Sequence, residues 1–202
     1  CGQTYDIYDL IYTCPECRSL LRVENPLFEG YKRLGAAYWR ALFDGRKSSA
    51  NPIHGGIFRF HELILPLIAD SDVIYLGEGQ TAIVWSNPEL SAWLGEPFGV
   101  KNEGFNPSAS FNDRGMASAM SFLNHVMRVK NMEHVLGICA STGDTSAAAA
   151  LYLSYLPKDK VSAVVLLPEG KVTPAQLSQP LSSGAKVIEL PGVFDDCMRI
   201  VE

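Results

Sequence analysis

From position 110 onward, the apolar and polar positions of the chain fall into two periods. Met116, Ala119, Met120, Leu123 and Met127 recur at helical spacing and mark one buried helix face. Ser110 and Asp113 stand ahead of that face as an S-x-x-D capping box, so the helix is expected to begin just after Ser110. His134 to Cys139 is an apolar run that reads as a strand, followed by a hydroxyl-rich glycine loop and a helix of strong formers from Ala147 to Leu156. Val161 to Leu167 is a second strand, and Pro168-Glu169-Gly170 turns the chain. Thr173 caps a helix that opens at Pro174, runs to about Ser183 and is closed by Gly184. Lys186 to Leu190 is a third strand, and a further helix runs from Phe194 to Glu202. Strands near 137, 164 and 188, about 25 residues apart with helices between, predict an α/β fold. The expected architecture is a doubly wound, mostly parallel sheet with right-handed crossovers.

The first hundred residues are less regular. Tyr31 to Phe43 is aromatic and amphipathic and reads as a helix ending at Asp44-Gly45, with a polar, Gly-containing loop from Arg46 to Gly56 after it. Pro97 to Lys101 is a short strand that leads into the Asn102–Met116 stretch.

Length and charge narrow the function classes. With 202 residues and 47% hydrophobic content, the chain is long enough to bury a core. A net charge of −5 argues against non-specific binding to nucleic acid or anionic membranes. No apolar run approaches the roughly 20 residues of a membrane span, and no signal peptide opens the chain. The expected setting is therefore cytoplasmic and soluble, and a start at Cys1 in place of Met points to a trimmed terminus.

Three groups of residues are candidates for chemistry. Phe111 and Asn112 fall in the first turn of the helix after Ser110, where free N–H groups and the dipole favour an anion. Ser141-Thr142-Gly143-Asp144-Thr145-Ser146 joins a strand to a helix, the layout of an anion cradle. The same composition also fits a plain N-capped turn. Cys14 and Cys17 form a C-x2-C pair, and with Cys1 they make three ligands of a possible zinc site or three metal-free thiols. Cys139 and Cys197 read as core residues, and His54 and His61 as hydrogen-bonded or solvated side chains.

The stretch NPSASFNDRG resembles the cofactor-lysine motif P-x-x-S-F-K-D-R-G of fold-type II pyridoxal-phosphate enzymes, and most of all that of the threonine synthase family. The match covers Pro107, Ser110, Phe111, Asp113, Arg114 and Gly115, with Asn112 where the lysine belongs. Ser141-Thr142-Gly143-Asp144-Thr145 resembles the family's S-T-G-N-T loop, Leu76-Gly77-Glu78-Gly79-Gln80-Thr81 its L-G-E-G-x-T-P turn with Ala82 for the Pro, and Phe58-Arg59-Phe60-His61-Glu62-Leu63 its entry segment. Some members carry an N-terminal zinc ribbon, which the Cys1, Cys14 and Cys17 segment resembles along with Tyr5 and the expected strand Leu20–Val23.

The resemblance implies a fold-type II domain over residues 26–202 behind a ribbon-like segment over 1–25, together about the first half of such an enzyme. It implies pyridoxal 5'-phosphate as cofactor, contacted by Phe111, Asn112 and Asp144, and zinc as a second ligand left open. It implies O-phosphohomoserine as substrate, with Ser141, Thr142 and Thr145 on its carboxylate, and threonine and phosphate as products. A second copy in a homodimer is an open alternative among partners; nucleic acid and membranes are not expected.

Asn112 is the departure that matters, because an amide is neither nucleophilic nor basic and cannot take the lysine's place. Lys101, eleven residues earlier, is not expected to reach the helix mouth across the Pro turn. Asn112 is explained by engineered inactivation, by mis-recording of a modified lysine, or by a natural pseudoenzyme, and the full match of the flanking Ser110, Phe111, Asp113 and Arg114 favours one of the first two. The rival functions are a catalytically dead paralogue used as a binding module, a dehydratase or other β-replacing member of the same fold-type, and third a zinc-ribbon nucleic-acid binder, against which the acidic charge counts. Asp144 in place of the loop Asn turns a neutral donor into an acceptor once ionised, which leaves its role open.

Overall fold

The computed structural model describes residues 1–201, the side chain of Pro52 aside, and divides into two units, 1–45 and 46–202. Glu202, the expected end of the last helix, lies outside the described residues.

In the first unit, a 3₁₀ turn over Ile7–Asp9 is closed by a reciprocal cap between Asp6 and Asp9. The strand expected over Leu20–Val23 does not form. Leu20 alone pairs, in an isolated bridge with Thr13, and Leu20 and Val23 stay exposed with no second layer to cover them. Helix α1 (Phe28–Arg46) extends the predicted 31–43 at both ends and is broken at Gly35, whose φ of 74° is one that side-chain-bearing residues rarely adopt. Beyond the break, Trp39 stacks on Phe43 at 5.5 Å and meets Tyr31 edge-on at 5.2 Å.

The second unit opens with 3₁₀ turns, one of them within the expected 46–56 loop, and a four-residue helix α2 (His61–Ile64). Strands β1 (Ile83–Trp85) and β2 (Gly99–Lys101) pair antiparallel around helix α3 (Pro88–Leu94). Helix α4 (Asn112–Val129) follows, and then the alternation of strand and helix that the sequence predicts: β3 (Val135–Ala140), α5 (Asp144–Leu153), β4 (Val161–Pro168), α6 (Pro174–Ser182), β5 (Lys186–Leu190) and α7 (Phe194–Val201).

β3, β4 and β5 form one parallel sheet in that order. Successive residues of β4 serve opposite faces. Val165 and Leu167 pack with Ala150 of α5 and Leu177 of α6, whereas Leu166 packs with Cys197 and Met198 of α7. Helices therefore cover both faces, as a doubly wound sheet requires. The approach of α5 to β3 depends on Gly137, where an added Cβ would stand 2.7 Å from the Leu153 side chain.

α4 buries a different stripe from the one its apolar residues mark. Met127 is buried, but Met116, Met120 and Leu123 are half-buried and Ala119 is exposed. The deepest line is Asp113, Ala117, Ser121 and His125, spaced by four residues and mostly polar. Each polar member has a partner outside the helix. Ser121 Oγ accepts from the Ile74 N–H (2.8 Å), and His125 Nδ1 lies 2.7 Å from Asp72 Oδ2. Arg128 adds three bonds to the same carboxylate, which hold the Asp72 carboxyl down at about 2. The helix is thus a polar spine for the 72–81 segment, and its half-buried apolar flank packs on Phe58, Ile68 and Tyr152.

Glu78 is fully buried beside this spine. One oxygen accepts from Tyr152 Oη (2.8 Å) and the Leu76 N–H (3.0 Å), and the other has no partner among the described residues. Burial pushes its carboxyl above the usual range. A raised acid costs the fold nothing below the unfolded-state value near 4.3, and the cost of ionising it grows as pH rises toward the folded value. Glu78→Gln is therefore expected to raise the thermal midpoint at pH 8 and to give no gain at pH 4. Equal shifts at both pH values would mean that ionisation of Glu78 plays no part.

Candidate functional site

The helix mouth and the hydroxyl loop are brought to one flank of the second unit by α6. Gln176 Nε2 donates to the Thr142 carbonyl (2.8 Å), and Gln179 Nε2, three residues on, reaches the Ser108 carbonyl at 3.4 Å. The two attachment points are thus one turn of α6 apart, about 5 Å along its axis. Gln176 is doubly engaged. Its Oε1 accepts from Thr173 N–H (2.9 Å) and Oγ1 (3.0 Å), completing a capping box at the start of α6. Sequence reasoning placed Thr173 as the cap but missed Gln176 and Gln179; the T-x-x-Q spacing was the available signal for the first of them.

At the mouth of α4 the expected capping box is not made. The N-cap is Phe111, without a side-chain bond, and Ser110 Oγ instead takes the Asn112 N–H (3.3 Å) and amide Nδ2 (3.1 Å). Asp113 has better donors: Ser108 offers its N–H at 2.7 Å to one carboxylate oxygen and its hydroxyl at 2.6 Å to the other. Ala109, with φ of 62°, turns the chain so that Ser108 faces back toward Asp113. Phe111 is 64% exposed and Asn112 half-buried.

Arg114 leaves the same turn in another direction. Its guanidinium makes two bonds to the Glu103 carboxylate (3.1 and 2.9 Å) and one to Thr81 Oγ1 (3.3 Å). That contact leads the causes that hold the Glu103 carboxyl at about 2. Asn106 ties the network to the glycine turn, accepting the Gly79 N–H (2.9 Å) while donating to Glu103. Gly79 has φ of 83°, and a Cβ there would fall 2.9 Å from Gly56 Cα, so this turn passes the 55–56 segment at backbone distance. Lys101 Nζ donates to the Thr81 carbonyl (3.1 Å) and lies 3.9 Å from Glu103, within this network.

The 141–146 loop is made as expected, with α5 starting earlier, at Asp144. Ser141 Oγ accepts the Gly143 N–H (3.2 Å), and Ser146 is turned inward onto the Gly143 carbonyl. The Thr142 and Thr145 hydroxyls and the Asp144 carboxylate have no hydrogen-bond partner among the described residues. Ser141 and Ser146 thus shape the loop, and three polar side chains stand at its mouth.

A family model described as pyridoxal-phosphate dependent enzyme matches residues 74–202, which holds both loops and all of the parallel sheet. The chain belongs to that family. Among curated relatives of this kind, it is 33% identical over 98% of its length to threonine synthase 2, chloroplastic, of Arabidopsis thaliana, covering 38% of that protein. It is 38% identical over its whole length to threonine synthase of Methanocaldococcus jannaschii, covering 44% of that protein. With threonine synthase of Mycobacterium leprae it shares 35% identity over 77% of its length and 41% of the relative's. The chain thus spans about two fifths of the relatives it matches. Among solved structures, threonine deaminase isoform 2 from Solanum lycopersicum aligns over 71% of the chain and 36% of its own at a TM-score of 0.49 and 22% identity.

In the first unit, the sulfurs of Cys1, Cys14 and Cys17 all lie within 4.8 Å of one another. Cys14 donates its N–H to the Ser19 carbonyl and accepts from the Arg18 N–H, which folds the C-x2-C segment into a knuckle. The Tyr5 hydroxyl, 3.2 Å from Cys14 Sγ, leads the causes that lower this thiol to about 7, with the Cys17 and Glu16 N–H groups acting in the same direction. Of the two cysteines expected in the core, Cys197 is fully buried, whereas Cys139 on β3 is only half-buried, and the burial it has raises its thiol.

Asp113 holds the motif in shape, and removing its charge leaves two buried donors on Ser108 poorly served. Asp113→Asn is expected to cost about 1–3 kcal/mol in chemical denaturation. An unchanged midpoint would show that Ser108 can be satisfied otherwise.

Proposed function

We propose that this chain is a portion of a threonine synthase-like protein, whose intact form converts O-phosphohomoserine and water to threonine and phosphate. The observation that carries this is the pairing of the SFNDR helix mouth with the STGDT loop through Gln176 and Gln179. Ser141, Thr142 and Thr145 present hydroxyls and helix-terminal N–H groups suited to the substrate carboxylate. Phe111, Asn112 and Asp144 are the residues assigned to the cofactor in this reading, by resemblance to the family motifs. The net charge of −5 counts against a non-specific binder of nucleic acid.

Pyridoxal phosphate contributes an aldehyde and an electron-accepting ring when it is linked to a lysine amine. The residues present do not fit that linkage. Position 112 has no amine, its amide hydrogen is donated to Ser110, and Lys101 is engaged with Thr81. No catalytic step is therefore assigned to this chain as written, and turnover is expected to be absent. The closed Asn112–Ser110 contact equally suits a paralogue that keeps the fold as a binding module.

In the first unit, the three sulfurs fit one face of a tetrahedral zinc site, in which neighbouring thiolates stand roughly 4 Å apart. Cys1, Cys14 and Cys17 would hold the ion, and its part would be structural.

Restoring the amine separates these readings. After incubation with pyridoxal phosphate and borohydride reduction, Asn112→Lys is expected to carry a cofactor adduct on the peptide containing residue 112, and the unaltered chain none. Failure of Asn112→Lys to react, with its fold intact by circular dichroism, would favour the binding module. In a full-length lysine form, consumption of O-phosphohomoserine in preference to serine and threonine is expected; the reverse preference would make the protein a dehydratase.

A further inference from the structure

The thiol cluster includes one side chain that is not a cysteine. Tyr5 approaches from the segment between Cys1 and the Ile7–Asp9 turn, and its hydroxyl lies 3.2 Å from Cys14 Sγ. Cys1 Sγ is 3.5 Å from the same atom, and Cys14 is the buried member of the three while Cys1 and Cys17 are exposed. Cys14 Sγ is therefore crowded by a second sulfur and a phenol within one small shell.

Either atom of the Tyr5–Cys14 pair can donate while Cys14 is a thiol. Once Cys14 coordinates a metal it has lost its hydrogen, and the contact persists only if the phenol donates to sulfur. We propose that Tyr5 is the positioning residue of a three-thiolate metal site, its hydroxyl donating to Cys14 Sγ and fixing that sulfur's orientation toward a divalent ion of the zinc class. The proposal rests on the reading of Cys1, Cys14 and Cys17 as ligands. Outer-shell donors of this kind orient ligands and tune their donation to the metal, and losing one costs about 10–100-fold in affinity. Tyr5 thus connects the ion to the polypeptide just ahead of the capped turn, in a unit with few buried side chains of its own.

The test is titration of the reduced chain with Co²⁺, followed by competition with Zn²⁺. The unaltered chain is expected to bind one Co²⁺ and to show sulfur-to-cobalt charge-transfer absorption. Tyr5→Phe, which removes one oxygen, is expected to weaken Co²⁺ binding by about 10–100-fold. It should also move the charge-transfer band to longer wavelength, because a sulfur relieved of a hydrogen bond is more easily oxidised. Tyr12→Phe, on an exposed tyrosine of the same unit, is the control and should match the unaltered chain. In a Cys14→Ser background, Tyr5→Phe should have no further effect on the residual charge-transfer band.

A Tyr5→Phe spectrum and affinity equal to those of the unaltered chain would overturn the role of Tyr5 and leave the metal reading standing. A changed ligand-field envelope would make Tyr5 a direct ligand, and it too would overturn the positioning role. Absence of charge-transfer absorption in the unaltered chain would remove the metal reading itself.

Discussion

A carboxylate buried at the first turn of α4 governs the rest of the second unit. Asp113 has no exposure to water, and a charge in that position is tolerable only with strong, well-aimed donors. Ser108 supplies two of them, from backbone and side chain, across a loop that reverses at Ala109. The loop before α4 is thereby held to the helix itself. The same logic repeats down the helix at Ser121 and at His125, so that two segments, around Ser108 and over 72–74, are held by one polar stripe. A purely apolar stripe fills space without specifying register. Paired polar groups tolerate one alignment, because a slip of one residue would leave each of them buried and unsatisfied.

That constraint passes outward to the candidate site. With Ser108 fixed by Asp113, its carbonyl becomes the attachment point for Gln179, and α6 then carries the constraint to Thr142 through Gln176. The hydroxyl loop is consequently positioned from both ends. β3 delivers it from the sheet, and α6 holds its backbone from the side. Arg114, one residue after Asp113, extends the same framework through Glu103 and Asn106 to the Gly79 turn. Three stretches far apart in the chain thus depend on two adjacent residues of one helix.

The sheet was legible in the sequence because its strands are short runs rich in β-branched and aliphatic residues, of which β4 ends fully buried between helices on both faces. Val161–Leu167 and Lys186–Leu190 needed little adjustment, and the Thr173 cap stood where the spacing put it. The polar stripe of α4 was not legible. Its partners are Ser108, Ile74 and Asp72, separated from it by between 5 and 53 residues, and hydrophobic periodicity cannot report a buried residue that is polar. The β1–α3–β2 ribbon was half seen, at Pro97–Lys101. Ile83, Val84 and Trp85 are all exposed, so the alternation that marks a half-buried strand is missing there. Of the candidate site, both loops were legible from their spacing, but the glutamines that join them were not, since an amide reaching across to a loop carbonyl has no local periodicity.

Positions 112 and 113 show why geometry and reactivity separate in this chain. Asn112 bonds within its own turn, to Ser110, and among the described residues nothing outside the turn bonds to its amide. Asp113 bonds across a loop and is wholly buried. A change at 112 therefore alters what the helix mouth can do to a ligand while leaving the frame around it in place. A change at 113 acts in the opposite order, loosening the Ser108 loop and, through Gln179, the seat of α6 before any ligand is involved. A change of residue at 112 is thus compatible with an intact surrounding motif, because the flanking Asp113 and Arg114 are held by hydrogen bonds that reach beyond the turn while Asn112 bonds only to Ser110.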